Sequence, residues 1–151
     1  MLEIYVDADA CPVKQEASKV AKRYRLNVTF VSNSWMRIPE EKIDKLVVVD
    51  GQFDAVDDWI VEHITRDDIV VTTDILLASR CVKGGAQVLA PTGYVFTEAN
   101  IGQAVATREL MRGLREAGTL SGGPPPFQKE DRSRFLQNLD LIIQNIKHAH
   151  A

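Results

Sequence analysis

Two periodicities alternate along this chain. Short apolar or β-branched runs, Ile4-Tyr5-Val6, Asn27-Val28-Thr29-Phe30-Val31, Leu46-Val47-Val48-Val49, Ile69-Val70-Val71-Thr72-Thr73 and Gln87-Val88-Leu89, have the length and make-up of strands. Between them the apolar positions change to helical spacing. Val13, Ala17, Val20, Ala21 and Tyr24 fall on one helix face, and Val56, Trp59, Ile60 and Ile64 on another that begins near Asp54. Residues 75–83 read as a helix stopped by Gly84-Gly85. From about Glu98 onward, Ile101, Ala104, Val105, Met111 and Leu114 mark a longer helix. A loop over 118–127, with Gly122-Gly123-Pro124-Pro125-Pro126, separates it from a last helix that aligns Phe135, Leu136, Leu139, Ile142, Ile143 and Ile146.

Strands alternating with helices predict an α/β fold: a mostly parallel sheet of about five strands with helices on both faces, a three-layer sandwich. Runs such as Leu46-Val47-Val48-Val49 and Ile69-Val70-Val71 suit strands buried on both sides. Right-handed crossovers then place the first strand between the second and the fourth. Pro12 is expected to open the first helix, where its missing N–H costs nothing. At 151 residues the chain suits a single domain, 1–151.

Composition narrows the function classes. With 45% hydrophobic residues, 26% charged residues and a net charge of -3, the chain has no general attraction to nucleic acid or anionic membranes, so any such contact must be a local patch. Two cysteines, Cys11 and Cys81, supply neither a disulfide scaffold nor a four-thiolate zinc site. No run approaches ~20 apolar residues and no basic segment leads an apolar one, so no membrane partner and a cytoplasmic location are expected.

The candidate chemistry lies where strands end. Asp7 ends the first strand, with Asp9 two residues on, and Asp74 ends the fourth. In the expected order these carboxyl ends are neighbours and flank the switch point where open α/β sheets bind ligands. Asp57 and Asp58, in the first turn after the third strand, could lean over the same rim. Any one such acid ordinarily caps a turn or helix. Together they would repel one another, and a divalent cation relieves that conflict; Mg²⁺ or Mn²⁺ prefers oxygen ligands and can activate water against a phosphodiester. Asp54 fits a helix cap, and Asp50, Asp67 and Asp68 fit turns. A loop tryptophan such as Trp35 ordinarily packs down on its domain, although with Arg37 it could meet a nucleic acid. The stripe of Arg108, Arg112 and Arg115 reads as a solvated face. Strand-then-Asp-x-Asp also resembles the haloacid-dehalogenase-type phosphatases, with Asp7 as phosphoryl acceptor and Asp9 as acid/base, although Cys11 stands where that pattern has Thr or Val. Cys11 at a helix N-terminus is a further conceivable nucleophile.

DADACPVK at 7–14, DAVDDWI at 54–60, DIVVTTDILLA at 68–78 and GGPPPF followed by DRSRF between 122 and 135 resemble the bacterial YaiI/YqxD family over nearly the whole chain. Leu76 departs from that family's TxDIPLA pattern, which has proline there. The resemblance implies a PIN-like domain. It aligns Asp7, Val56-Asp57-Asp58 and Asp74 with the acids of PIN-type nucleases, and so implies Mg²⁺ or Mn²⁺ held by Asp7, Asp57, Asp58 and Asp74, with Asp9 as a direct or supporting ligand. Asp7 and Asp74 are the expected catalytic pair. The family's basic residues Lys14, Arg132 and Arg134 are candidates for contacting substrate phosphates. The resulting expectation is a metal-dependent nuclease acting on nucleic acid, RNA before DNA by analogy. The alternatives are a PIN-like binding module without turnover and the phosphatase.

Overall fold

The computed structural model describes residues 2–52, 54–120, 122 and 125–150. Gly123 and Pro124, in the expected Gly/Pro loop, lie outside the described residues. Elements follow the order β1 (Glu3–Asp7), α1 (Lys14–Arg23), β2 (Asn27–Ser32), β3 (Lys45–Val48), α2 (Ala55–His63), β4 (Ile69–Val71), α3 (Ile75–Lys83), β5 (Gln87–Leu89), β6 (Val95–Phe96), α4 (Ile101–Glu116) and α5 (Lys129–Ala149). The strands form one six-stranded sheet in the order β3-β2-β1-β4-β5-β6, parallel except where β6 returns against β5. The two-residue β6 is too short to show a period, and so escapes a reading by pattern.

Because side chains alternate across a strand, each central strand feeds two cores. Ile4, Val6, Val28, Phe30, Ile69 and Val71 pack against Val13, Ala17 and Val20 around α1 and Phe135, Leu139 and Ile143 of α5. Tyr5, Val31, Val70 and Val88 pack on the other side against Val56 and Ile60 of α2, Leu77, Ala78 and Cys81 of α3, and Ile101 of α4. The three-layer sandwich is therefore built from period-two strands between amphipathic helices. Asp7 and Thr72 have the parity of Tyr5 and Val70, which places both on the α2–α3 side.

Four local expectations change. Pro12 sits in a turn before α1, whose N-cap is Val13, so the helix starts two residues beyond the proline. The Leu46–Val49 run is not buried on both sides: β3 is an edge strand and Val48 is exposed. Trp35 does not pack down but stands 73% exposed, while Ile38 is buried and Met36 packs against the core in its place. In α4, Ile101 alone is buried and the C-terminal part projects, with Leu110 and Met111 exposed.

Candidate metal centre

The β1 and β4 carboxyl ends are adjacent through the pairing of Val6 with Val71, which brings Asp7 beside Thr72. The Thr72 hydroxyl, fully buried, donates to Asp7 Oδ2 at 2.8 Å and accepts from the Asp74 backbone N–H at 3.0 Å. One hydroxyl thus orients the first acid and fixes the backbone of the second. The sequence pattern put Thr72 inside the fourth strand run and gave it no site role; the available signal was its place two residues before Asp74.

Asp74 is also the N-cap of α3. Its Oδ1 accepts from the N–H groups of Leu76 at 2.9 Å and Leu77 at 3.1 Å, satisfying two donors of the first turn. Asp74 also lies near Asp57, whose carboxyl it perturbs by its charge and by side-chain hydrogen bonding. A proline at position 76 would remove one of those two donors.

Crowding leaves an electrostatic mark. Burial, then the charge of Asp74, its hydrogen bond, and the charges of Asp7 and Asp54 push Asp57 from 3.8 up to about 7. Burial and neighbouring carboxylates both disfavour the charged form of Asp57, so near neutrality it is part protonated. Asp7 is raised as well, first by burial and then by Asp74 and Asp9, while the Thr72 hydrogen bond opposes the rise.

The remaining candidates are set further out. Asp9 is exposed and accepts from the Asn33 backbone N–H at 3.0 Å, which ties β1's end to the loop after β2. Asp58 points to Arg80, 2.9 Å away in an exposed ion pair, and is not among the charges that perturb Asp7 or Asp57. Among the described residues no three acidic, histidine or cysteine side chains stand close enough to enclose an ion as they are. An all-carboxylate donor set nevertheless suits Mg²⁺ or Mn²⁺, and Mg²⁺ commonly uses one or two carboxylates and keeps several waters.

The basic candidates hold structural contacts. Lys14 Nζ donates to the carbonyls of Cys11 at 2.8 Å and Ala8 at 3.3 Å, closing a turn in which Ala10 takes a φ of 60°. An ammonium has three donors, so one remains. Arg132 pairs with Glu16 at 2.7 Å, donates to the Pro12 carbonyl and lies over the Phe127 ring, docking α5 on α1. Lys14, Arg132 and Arg37 together line a cleft of about 420 Å³ that also includes Cys11. Arg134 faces elsewhere: it donates to the Thr92 carbonyl at 3.2 Å and pairs with Asp131 at 3.1 Å. Asp131 closes a capping box with Gln128 at the start of α5. Cys11 is buried, and burial pushes its thiol pKa up, opposite to what a nucleophile needs. Asp68, expected in a turn, is there: it is buried and accepts from the N–H groups of Glu3 and Thr65.

Residues 5–145 match the family described as uncharacterised BCR, YaiI/YqxD family. A UPF0178 protein of Azorhizobium caulinodans is 54% identical over 149 residues, covering 98% of this chain and 93% of the relative. One from Rhodospirillum centenum is 53% identical over 151 residues, covering 97% and 98%. One from Sphingopyxis alaskensis is 54% identical over 149 residues, covering 98% and 97%. No solved structure matches the chain. With matching that spans nearly its whole length, the chain belongs to the YaiI/YqxD family.

Proposed function

We propose that this protein is a divalent-metal-dependent nuclease whose centre is Asp7, Asp57 and Asp74. The observation that carries this reading is the gathering of Asp7, Asp57 and Asp74, from three different elements, at one sheet rim, where Asp74 and Asp7 both raise the Asp57 pKa. Such crowding costs stability and has no evident packing benefit. It is the kind of strain a function retains. Mg²⁺ or Mn²⁺, when bound, would neutralise these acids and supply Lewis acidity toward a phosphodiester. Asp7 and Asp74 are the ligands we assign first, with Asp57 joining once its proton leaves. Asp9 adds negative charge at the edge, and Asp58, held by Arg80, is a reserve ligand rather than an inner one.

The reaction is hydrolysis: a water oxygen bonds to phosphorus, the bond to the leaving oxygen breaks, and that oxygen takes up a proton. In the metal-free protein Asp57, pushed up to about 7, holds the proton that its entry as a ligand would release. Thr72 keeps the Asp7 carboxylate oriented. Lys14 and Arg132, with Arg37, would bind a flanking phosphate in the cleft beyond Cys11. Arg134, committed to the Thr92 carbonyl and Asp131, would support the fold and touch substrate last. RNA is favoured over DNA only by analogy with PIN-type enzymes.

A binding module that keeps the fold without turnover is the second reading, favoured by the fact that among the described residues no three acids enclose an ion as they stand. The phosphatase reading gains less support, because Asp9 is held outward by Asn33. Cleavage of labelled single-stranded RNA and DNA with Mn²⁺ or Mg²⁺ separates them. Metal-dependent multiple turnover that Asp7→Asn and Asp74→Asn both abolish, in folded protein, is the expected result. Binding without cleavage would favour the module, and release of phosphate from monoesters with equal loss in Asp7→Asn and Asp9→Asn would favour the phosphatase.

A further inference from the structure

On the β4–β5–β6 side of the rim, a groove of about 580 Å³ runs between the β5–β6 hairpin and α4. Its lining includes Thr73 and Ile75, the residues on either side of Asp74. Its apolar lining includes Ile75, Pro91 and Met111, and α4 adds Arg115 and, two turns before it, Arg108, which pairs with Glu109 at 2.9 Å. Over it stands Tyr94, 49% exposed, its ring held edge-to-face against buried Phe96 with centroids 5.1 Å apart. The hairpin beneath Tyr94 is fixed from outside: Asn138 donates to the Gly93 carbonyl at 2.7 Å and Arg134 to that of Thr92. A braced, exposed aromatic ring beside an apolar floor and two guanidinium groups matches what a base and its phosphates require.

We infer that this groove seats the bases of a single-stranded nucleic acid next to the acidic rim, with Tyr94 stacking a base and Arg108 and Arg115 contacting phosphates. The inference deepens the nuclease proposal by naming the strand form and its track. Charge decides the occupant: a polyanion approaching an acidic rim needs cations at its edge, and on this side α4 provides them. An apolar floor suits the face of an unpaired base and offers little to the phosphate-lined exterior of a duplex.

Binding tests this independently of cleavage. A fluorescein-labelled 12-mer of oligouridine, and a duplex of equal length, are titrated by anisotropy in an Asp7→Asn background, so that the strand is not consumed. Tyr94→Leu is expected to weaken single-strand binding about ten-fold, Tyr94→Trp to retain it, and the duplex to bind more weakly with no dependence on residue 94. Arg108→Gln with Arg115→Gln should reduce the slope of log K against log salt by about 1.4, two phosphates' worth. Tyr94→Leu binding as tightly as its parent, or a duplex bound in preference, would overturn the inference. So would absence of any binding together with self-association that Leu110→Asp disrupts, which would assign the groove to a second copy of the chain. Cleavage by the wild type fails or succeeds separately, and so judges the nuclease proposal alone.

Discussion

Thr72 carries more of the candidate site than any acid does, because one buried hydroxyl serves two of them. Thr72→Val keeps the shape and removes the hydrogen bond that lowers the Asp7 pKa, so that pKa should rise further. If the centre hydrolyses phosphodiesters, the acid limb of its pH–rate profile moves to higher pH in this variant; stability falls by about 1 kcal/mol in denaturant titration. Asp57 makes a separate prediction for pH. Its folded pKa, raised to about 7 from 3.8, means that between those values the folded chain holds a proton the unfolded chain has released. The associated stability is complete below pH ~4 and is lost as pH rises through 7. Full conversion would give roughly 4 kcal/mol at about 1.4 kcal/mol per decade; half-exposure to water reduces this to about 1–2 kcal/mol. Urea midpoints of wild type should therefore fall relative to Asp57→Asn between pH 5 and 8, and Mg²⁺ should restore part of the difference at pH 8. Parallel midpoints at all pH values would contradict the raised Asp57 pKa. In the sequence, the strand-end acids were legible from the change of period after Val6 and after Thr73. That Asp57 turns inward and Asp58 outward to Arg80 was not, since neighbouring helix positions differ by about 100° and the helix phase rests on few apolar residues.

At the level of elements, the turn between β5 and β6 is fixed by a glycine. Gly93 has φ +92°, and an added Cβ would lie 2.6–2.8 Å from the Arg134 side chain and backbone. Gly93→Ala must therefore both strain the backbone and push α5 off the hairpin, a cost of about 2–4 kcal/mol measurable by thermal or urea unfolding. Arg134 and Asn138 hold the same turn, so the family's Asp131–Arg134 segment has a structural purpose that a reading in terms of phosphate contacts alone overlooks. A second clamp joins α1 to the loop before β3: buried Asp44 accepts from Ser18 Oγ at 2.6 Å and pairs with Lys22 at 3.3 Å. Asp44→Ala should destabilise by about 2 kcal/mol, because it leaves Ser18 and Lys22 to find other partners in a partly buried place. Neither clamp was legible in the sequence. Both depend on contacts between distant segments, and Asp44 stands in a stretch without periodicity.

Taken whole, the molecule places its chemistry by topology. The order β3-β2-β1-β4-β5-β6 makes β1 and β4 the central pair, and the acids fall where the chain's crossovers diverge to the two faces. This was the part most legible beforehand, because alternating strand and helix patterns leave few right-handed solutions. The edges were least legible: β3 read as a buried strand and β6 was unseen, since burial at a sheet margin depends on what covers it rather than on the strand's own residues. The central claim is that the rim's crowded acids are kept for a divalent cation, and binding of Mn²⁺ by isothermal titration calorimetry addresses it most directly. Run at pH 6.5 in buffers of different ionisation enthalpy, it should show one ion bound with release of up to about one proton, lost in Asp7→Asn and bound without proton release in Asp57→Asn. No binding at millimolar Mn²⁺, or equal binding by wild type and Asp7→Asn, would contradict the account.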